Sequence, residues 1–291
     1  MIAVHIKKIG ILRFSGILFF LTLLAAQAES QVVRMNEAAD ANGRYATSMI
    51  KLALSYIDTP YRLEMVPGEI TQARNVDEVV SGRLDIMWAA TDQDMEKLML
   101  PVRIPLYKGL LGHRIFIIHR DNQAKFDRVR TFDDLRSFTF GQGATWADAK
   151  ILEANGLKVV RANKYPSLFY MVDGGRFDAF PRGVQEPWGE IAQRPQLELA
   201  VEKRLMLVYR MPFYLFVGKD DVQLAADLEK GLRMAIADGK FDEIFYKDPT
   251  VKSVLEKVNL GERVVFPLEN PTLPQETPVD DPTLWLDVKD L

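Results

Sequence analysis

Two short runs in this chain share one pattern: Ser81-Gly-Arg-Leu-Asp-Ile-Met-Trp-Ala-Ala-Thr91 and Gly174-Gly-Arg-Phe-Asp-Ala-Phe-Pro-Arg-Gly183. Each places Gly-Arg-apolar-Asp between two structured segments. The residues before it (Thr71 to Ser81, Ser167 to Val172) have helical spacing, and those after it (Leu84 to Trp88, Phe177 to Phe180) read as buried strands. A glycine just past a helix supplies the left-handed backbone that ends it. A helix-to-strand turn written twice predicts two lobes built on one plan.

The remaining segments extend that grammar. Val32 to Met35 and Tyr61 to Val66 read as strands, and Tyr45 to Tyr56 as a helix. Thr131 is placed to cap a short helix with Asp134 three residues on. Phe138 to Gly141 (strand), Thr145 to Ala154 (helix) and Leu157 to Arg161 (strand) complete a second block. Alternating strands and helices indicate an α/β fold with largely parallel sheets. His113 to His119 and Pro212 to Val217 are apolar, strand-like and flank the second block, as two crossovers would. The expected organisation is a first lobe of residues 29–115 and 215–265 and a second lobe, 116–214, inserted in it. Residues 266–291, with five prolines between Pro267 and Pro282, read as a surface strap ordered by Leu284, Trp285 and Leu286, or as a disordered tail.

Lys7, Lys8 and Arg13 precede or open the apolar run Phe14 to Leu24, and Ala26-Gln-Ala28 follows with small-x-small spacing. That is the form of a cleaved signal peptide over residues 1–28, too short for a comfortable membrane span. The chain has 37 basic and 40 acidic residues; losing three basic groups with the leader takes the formal charge from −3 to −6. A nucleic-acid binder would carry a basic stripe instead. There is no cysteine, which excludes disulfides, thiolate metal sites, a cysteine nucleophile and a lipid-modified N-terminal Cys. A soluble, monomeric periplasmic protein is expected.

The order of these elements resembles a type II periplasmic binding protein, and more closely the family 3 extracellular solute-binding proteins of ABC importers. The segments that carry the resemblance are Val79 to Asp85, Pro105-Leu-Tyr107, Phe132 to Leu135, Phe140-Gly-Gln-Gly-Ala-Thr145, Gly175 to Ala179, Tyr214 to Val217 and Leu232 to Asp242. It implies two α/β lobes joined by two strands and closing by a hinge on a solute in the cleft. Ligands of open α/β sheets sit beyond the carboxyl ends of strands.

That rule selects Trp88, Thr91 and Asp92 past the first turn, and Arg182 and Glu186 past the second. Gln142, Thr145 and Trp146 belong to a glycine turn at a helix start, a setting suited to an anion. Arg182 has the planar fork that grips a carboxylate or phosphate, with a salt bridge to Glu186 as its structural alternative. Glu37 and Arg103 complete the candidate set. Of the groups with which the family's amino-acid binders hold their ligand, only Thr145 matches. The hydroxyl positions fall at Ala89 and Ala90, the arginine at Lys97, the ammonium-binding carboxylate at Gly183, and the first loop reads Met35-Asn-Glu-Ala-Ala-Asp40. The resemblance therefore implies a small polar, anionic solute rather than an α-amino acid held in the family's way, unless Glu37, Asp92 or Glu186 substitutes. An ABC permease is the expected partner. A periplasmic sensor acting through a membrane receptor is the alternative, and a lyase or dehydratase on the same fold a lesser one. No cofactor and no enzymatic step is called for: the chain lacks a metal-spaced cluster, nucleophile elbow or phosphate loop.

Overall fold

The computed structural model describes residues 30–38, 40–68 and 70–286; the expected leader lies outside them. The chain begins β1 (Gln31–Asn36), α1 (Ala41–Leu54), β2 (Tyr61–Val66), α2 (Gln72–Val80), β3 (Ile86–Ala90), α3 (Gln93–Leu98) and β4 (Leu100–Val102). It then passes to β5 (His113–His119), α4 (Gln123–Phe126), α5 (Phe132–Leu135), β6 (Thr139–Gly143), α6 (Ala147–Ala154), β7 (Lys158–Ala162) and α7 (Tyr165–Asp173). Next come β8 (Phe180–Gly183), α8 (Pro187–Ala192), β9 (Leu199–Val201), β10 (Leu205–Val208) and β11 (Phe213–Val217). Helices α9 (Val222–Ala237), α10 (Lys240–Lys247) and α11 (Pro249–Lys257) precede β12 (Val264–Pro267).

The strands divide into two lobes. In the first the order is β2–β1–β3–β11–β4, with β1 parallel to β2 and β3 and β11 antiparallel to its neighbours. In the second the order is β12–β10–β5–β8, with β9 also on β5. Parallel β6 and β7 join that sheet where Phe140 bridges Ala179 beside β8. The cores are apolar side chains from both faces, such as Met35, Tyr45, Met49 and Ile86 in the first lobe and Phe116, Phe140, Ile151 and Leu207 in the second.

The repeated turns have one construction. After α2, Gly82 takes a φ of 70° and after α7 Gly175 takes 68°, values that a side chain would strain. Gly82 and Arg83 donate to the carbonyls of Val79 and Glu78; Gly175 and Arg176 donate to those of Val172 and Met171. These are the paired bonds of a glycine-terminated helix. The aspartate then fastens the turn to the first strand of its block. Asp85 Oδ2 accepts the backbone N–H of Arg34 at 2.6 Å, and Asp178 Oδ2 that of Thr139 at 2.9 Å. The backbone N–H of each aspartate returns a bond to the same residue's carbonyl.

The sheets are not largely parallel, since β5 and β11 are antiparallel to every strand they pair with, and three further expectations shift. β5 and β11 are the first strands after each crossing, not the crossings themselves, which are the chain from Arg103 to Gly112 and from Tyr209 to Pro212. The two crossings touch: Tyr209 N–H donates to Gly112 O at 3.0 Å, and a Cβ on Gly112 would stand 2.0 Å from Tyr209 O. Second, β12 pairs with β10, so the chain re-enters the second lobe after α11 instead of ending in the first. Third, the strand after the second turn starts at Phe180 rather than Phe177, because Asp178 is held by Thr139. The described part of the prolyl segment after β12 runs over both lobes. No helix among the described residues is long and apolar enough to cross a membrane.

Candidate functional site

The carboxyl ends of β1, β3, β6 and β8 converge on the cleft between the lobes. On the first-lobe side β3 stops at Ala90. Thr91 is buried and its hydroxyl donates to Glu96 Oε1 at 2.7 Å; Glu96 in turn holds Arg103. Thr91 and Arg103 thus belong to one chain of side chains, which continues to Glu276 at 3.9 Å, and the Arg103 guanidinium is engaged by these carboxylates. Asp92 caps α3 through Met95 N–H at 2.8 Å and with its other oxygen meets Lys150 of the second lobe at 2.7 Å. Trp88 packs against the first turn of α1, where a Cβ on Gly43 would lie 2.9 Å from its ring. Glu37 is exposed and contributes its backbone N–H to Val66.

On the second-lobe side the helix read from Thr145 starts later. Helix α6 begins at Ala147, Trp146 holds the cap position without a side-chain bond, and Thr145 is exposed. The first turn of α6 carries Asp148 instead, buried and paired with Arg114 at 2.7 Å and with the hydroxyl of Tyr209. An internal carboxylate therefore answers the positive end of this helix. Gln142 is fully buried; its Nε2 donates to Pro181 O at 3.2 Å.

Arg182 is 6% exposed and not available as a free cation. Its guanidinium meets Glu190 at 2.6 Å and Glu186 at 2.8 Å, inside a box of Trp146, Tyr165 and Phe180 with ring centres 5.0–5.4 Å away. Burial opposes its charge, but the two glutamates outweigh burial and hold its pKa well above the usual value. Glu186 also accepts Gly183 N–H at 2.6 Å and lies 3.4 Å from Arg114. Burial pushes Glu186 up; Arg182 and Arg114 pull it down without cancelling the rise.

Glu186 is also the residue that reaches across. Asn42, at the start of α1 in the first lobe, donates to its Oε1 at 2.6 Å, and Tyr107 of the first crossing donates to Asn42 Oδ1 at 3.0 Å. The buried cluster thus holds two cations, Arg114 and Arg182, against three carboxylates, Asp148, Glu186 and Glu190. Beside it, Gln142 Oε1, both amide atoms of Gln185 and Arg114 Nε make no hydrogen bond within the protein. Outside the Asp92–Lys150 bridge the cleft opens as a groove of about 250 Å³ lined by Val76, Asp77, Met95, Leu98 and Thr145.

Of the expected residues, the structure brings Gln142, Trp146, Arg182 and Glu186 into one buried neighbourhood and Asp92 with Thr145 onto the groove. Glu37, Thr91 and Arg103 fall outside both. Sequence reasoning missed Asn42, Asp148, Gln185 and Glu190. Glu190 had a signal: with Glu186 it forms an i, i+4 pair on one helical face, aimed back at Arg182.

No protein-family model matches the chain, and no curated protein matches it. Solved structures do. An amino acid ABC transporter substrate-binding protein, AbpA, from Streptococcus pneumoniae, bound to L-arginine, aligns at a TM-score of 0.56 and 17% identity, over 78% of this chain and 97% of that one. A histidine kinase sensor domain with similarity to periplasmic binding proteins aligns at 0.58 and 15%, over 76% and 96%. The ancestral amino acid-binding protein AncCDT-1, a precursor of cyclohexadienyl dehydratase, aligns at 0.56 and 18%, over 75% and 95%. At these identities the likeness is one of fold, and the fold is that of the type II periplasmic binding proteins.

Proposed function

We propose that this chain is a periplasmic solute-binding protein that closes its lobes over one small polar molecule and presents it to an ABC-type permease. The observation that carries the reading is the Asn42–Glu186 bond, which joins the lobes at the strand ends beside buried amide groups with free hydrogen-bonding capacity. Leaving such groups unpaired costs about 1–3 kcal/mol each, so a solute that satisfies them stabilises the closed form.

The charge balance narrows the solute. An anion gains little from Arg182, whose positive charge is already met by Glu186 and Glu190. An uncharged or zwitterionic molecule rich in donors and acceptors fits a cluster with one surplus carboxylate. The anionic solute expected from sequence gives way to this class. The form of a cleaved leader read from the sequence of residues 1–28 supports the periplasm as the location. Binding demands no covalent step, and no group of metal-ligating side chains that could hold an ion occurs among the described residues.

A thermal-shift screen against neutral, zwitterionic, anionic and cationic solutes tests the reading. A true ligand at a hundredfold over its Kd adds about 2.7 kcal/mol of stability. Shifts confined to dicarboxylates would refute the solute class; no shift with any solute would refute binding. A sensory role is the second reading, favoured by the likeness to a histidine kinase sensor domain. It is separated from import by whether the ligand-loaded protein binds a permease or a receptor ectodomain.

A further inference from the structure

The segment after β12 makes one contact after another with parts of the molecule that a hinge must move apart. Leu268 N–H first donates to Val208 O at 2.8 Å, continuing the second-lobe sheet. Asn155, at the end of α6, then exchanges bonds with the backbone of Glu269: its Nδ2 donates to the carbonyl at 2.8 Å and its Oδ1 accepts the N–H at 3.3 Å. Asn270 Nδ2 donates to Arg210 O, on the second crossing, at 2.8 Å.

The chain next steps onto the first lobe. Thr272 O accepts the backbone N–H of Gln93 at 3.1 Å, and Leu273 O accepts its side-chain amide at 3.3 Å, beside Asp92 at the cleft. Asp281 approaches Arg233 of α9 at 3.7 Å. The end then doubles back to the hinge. Trp285 lies over Arg210 with its ring centre 4.7 Å from the guanidinium, and its indole N–H donates to Pro278 O at 2.8 Å. The same ring covers Gly109, where a Cβ would stand 2.7 Å away. Leu286 N–H donates to Lys108 O at 2.9 Å, while Leu284 is buried in the core.

Lys108 is a non-glycine residue with a φ of 49°, and Asn259 is the one other such residue among those described. A side chain in this left-handed region persists only where its surroundings fix it. Here the fixing groups are Asp242, which binds Lys108 Nζ at 2.7 Å, and the backbone of the C-terminal segment. Pro271, Pro274, Pro278 and Pro282 lock φ at four points and keep the segment stiff between its anchors.

We infer that residues 268–286 are a strap that limits how far the lobes open. It ties second lobe, second crossing, first lobe and first crossing in succession, so a wide opening has to strip the Thr272–Gln93 or the Glu269–Asn155 attachment. The protein holds its cleft nearly closed before solute arrives, and solute enters by the groove beside α2 and α3 rather than through a gaping hinge.

The absence of cysteine allows a clean test. Cysteines introduced at exposed Val80 in the first lobe and Tyr170 in the second carry spin labels, and pulsed dipolar spectroscopy of the solute-free protein reads the interlobe distance. The full chain gives one narrow distribution. Combining Asn155→Ala with Trp285→Ala shifts it to longer distances and broadens it, and deletion of residues 269–291 shifts it further. Distributions for the double variant that superimpose on the full chain, with an unchanged circular dichroism spectrum, overturn the strap; so does a broad distribution in the full chain. The double variant decides the matter if the deletion does not fold. The readout needs no ligand, so it stands apart from whether the protein binds solute.

Discussion

At the residue scale the cleft is governed by one buried cation and its acidic partners. Arg182→Ala leaves Glu190 buried without its counter-charge and Glu186 with Arg114 alone at 3.4 Å, and removing one partner of a buried pair costs about 3–5 kcal/mol. Urea unfolding at neutral pH is the check; a loss under 1 kcal/mol would mean that the glutamates find water. Glu186 gives a pH signature. Its folded pKa lies above its ordinary 4.5, so between those two values the folded state binds the proton that the unfolded state has released. That group's contribution to stability therefore rises as pH falls through the window, and Glu186→Gln removes the rise. Unfolding free energies of the two proteins across that window should converge toward low pH; parallel curves would contradict the assignment. The sequence singled out Arg182 and Glu186 but not their state. Whether an arginine past a strand end meets a ligand or a glutamate depends on which carboxylates the next helix turns inward. That is a packing outcome, and residue order does not display it.

At the scale of elements, the repeated helix-to-strand turn was the most legible part of the chain. Its residues act through local geometry alone: a glycine in left-handed conformation, and an aspartate fastened to a strand start. Gly82→Ala and Gly175→Ala should each destabilise by about 1–2 kcal/mol, the cost of a side chain in that conformation. Equal effects by chemical denaturation would confirm that both copies do one job, and an effect at one copy alone would not. Helix α6 was less legible. Thr145 has the residue type of a cap, yet the helix starts two residues later because Trp146 is drawn onto Phe180 and Arg182 by stacking and cation–π contact. Those partners lie far along the sequence, so propensity at Thr145 gave no warning. The same holds for β12, a four-residue strand whose place is set by β10.

At the scale of the molecule, two similar turns feed strands that run to opposite walls of one cleft, and the residues past those strands join the walls. Two lobes and an inserted second block were readable from alternating periodicity. The added crossings through β12 and the strap were not, because a proline-rich tail without periodicity says nothing of where it will dock. Asn42, supplied by the first lobe, was equally invisible, since its partner Glu186 is brought to it only by closure. Asn42→Ala should therefore weaken solute binding by about 0.5–1.5 kcal/mol, the net worth of one hydrogen bond or somewhat more to a charged group, with little effect on the fold of either lobe. Calorimetric titration with the solute found by screening measures it. The proposed solute site is the cleft at Asn42, Gln142, Gln185 and Glu186. Native mass spectrometry of protein purified without refolding tests it most directly. One small neutral or zwitterionic adduct at one-to-one stoichiometry is expected, diminished in Gln185→Leu; a bare chain that takes up no solute from a broad panel, or an adduct equally retained in Gln185→Leu, would refute the site.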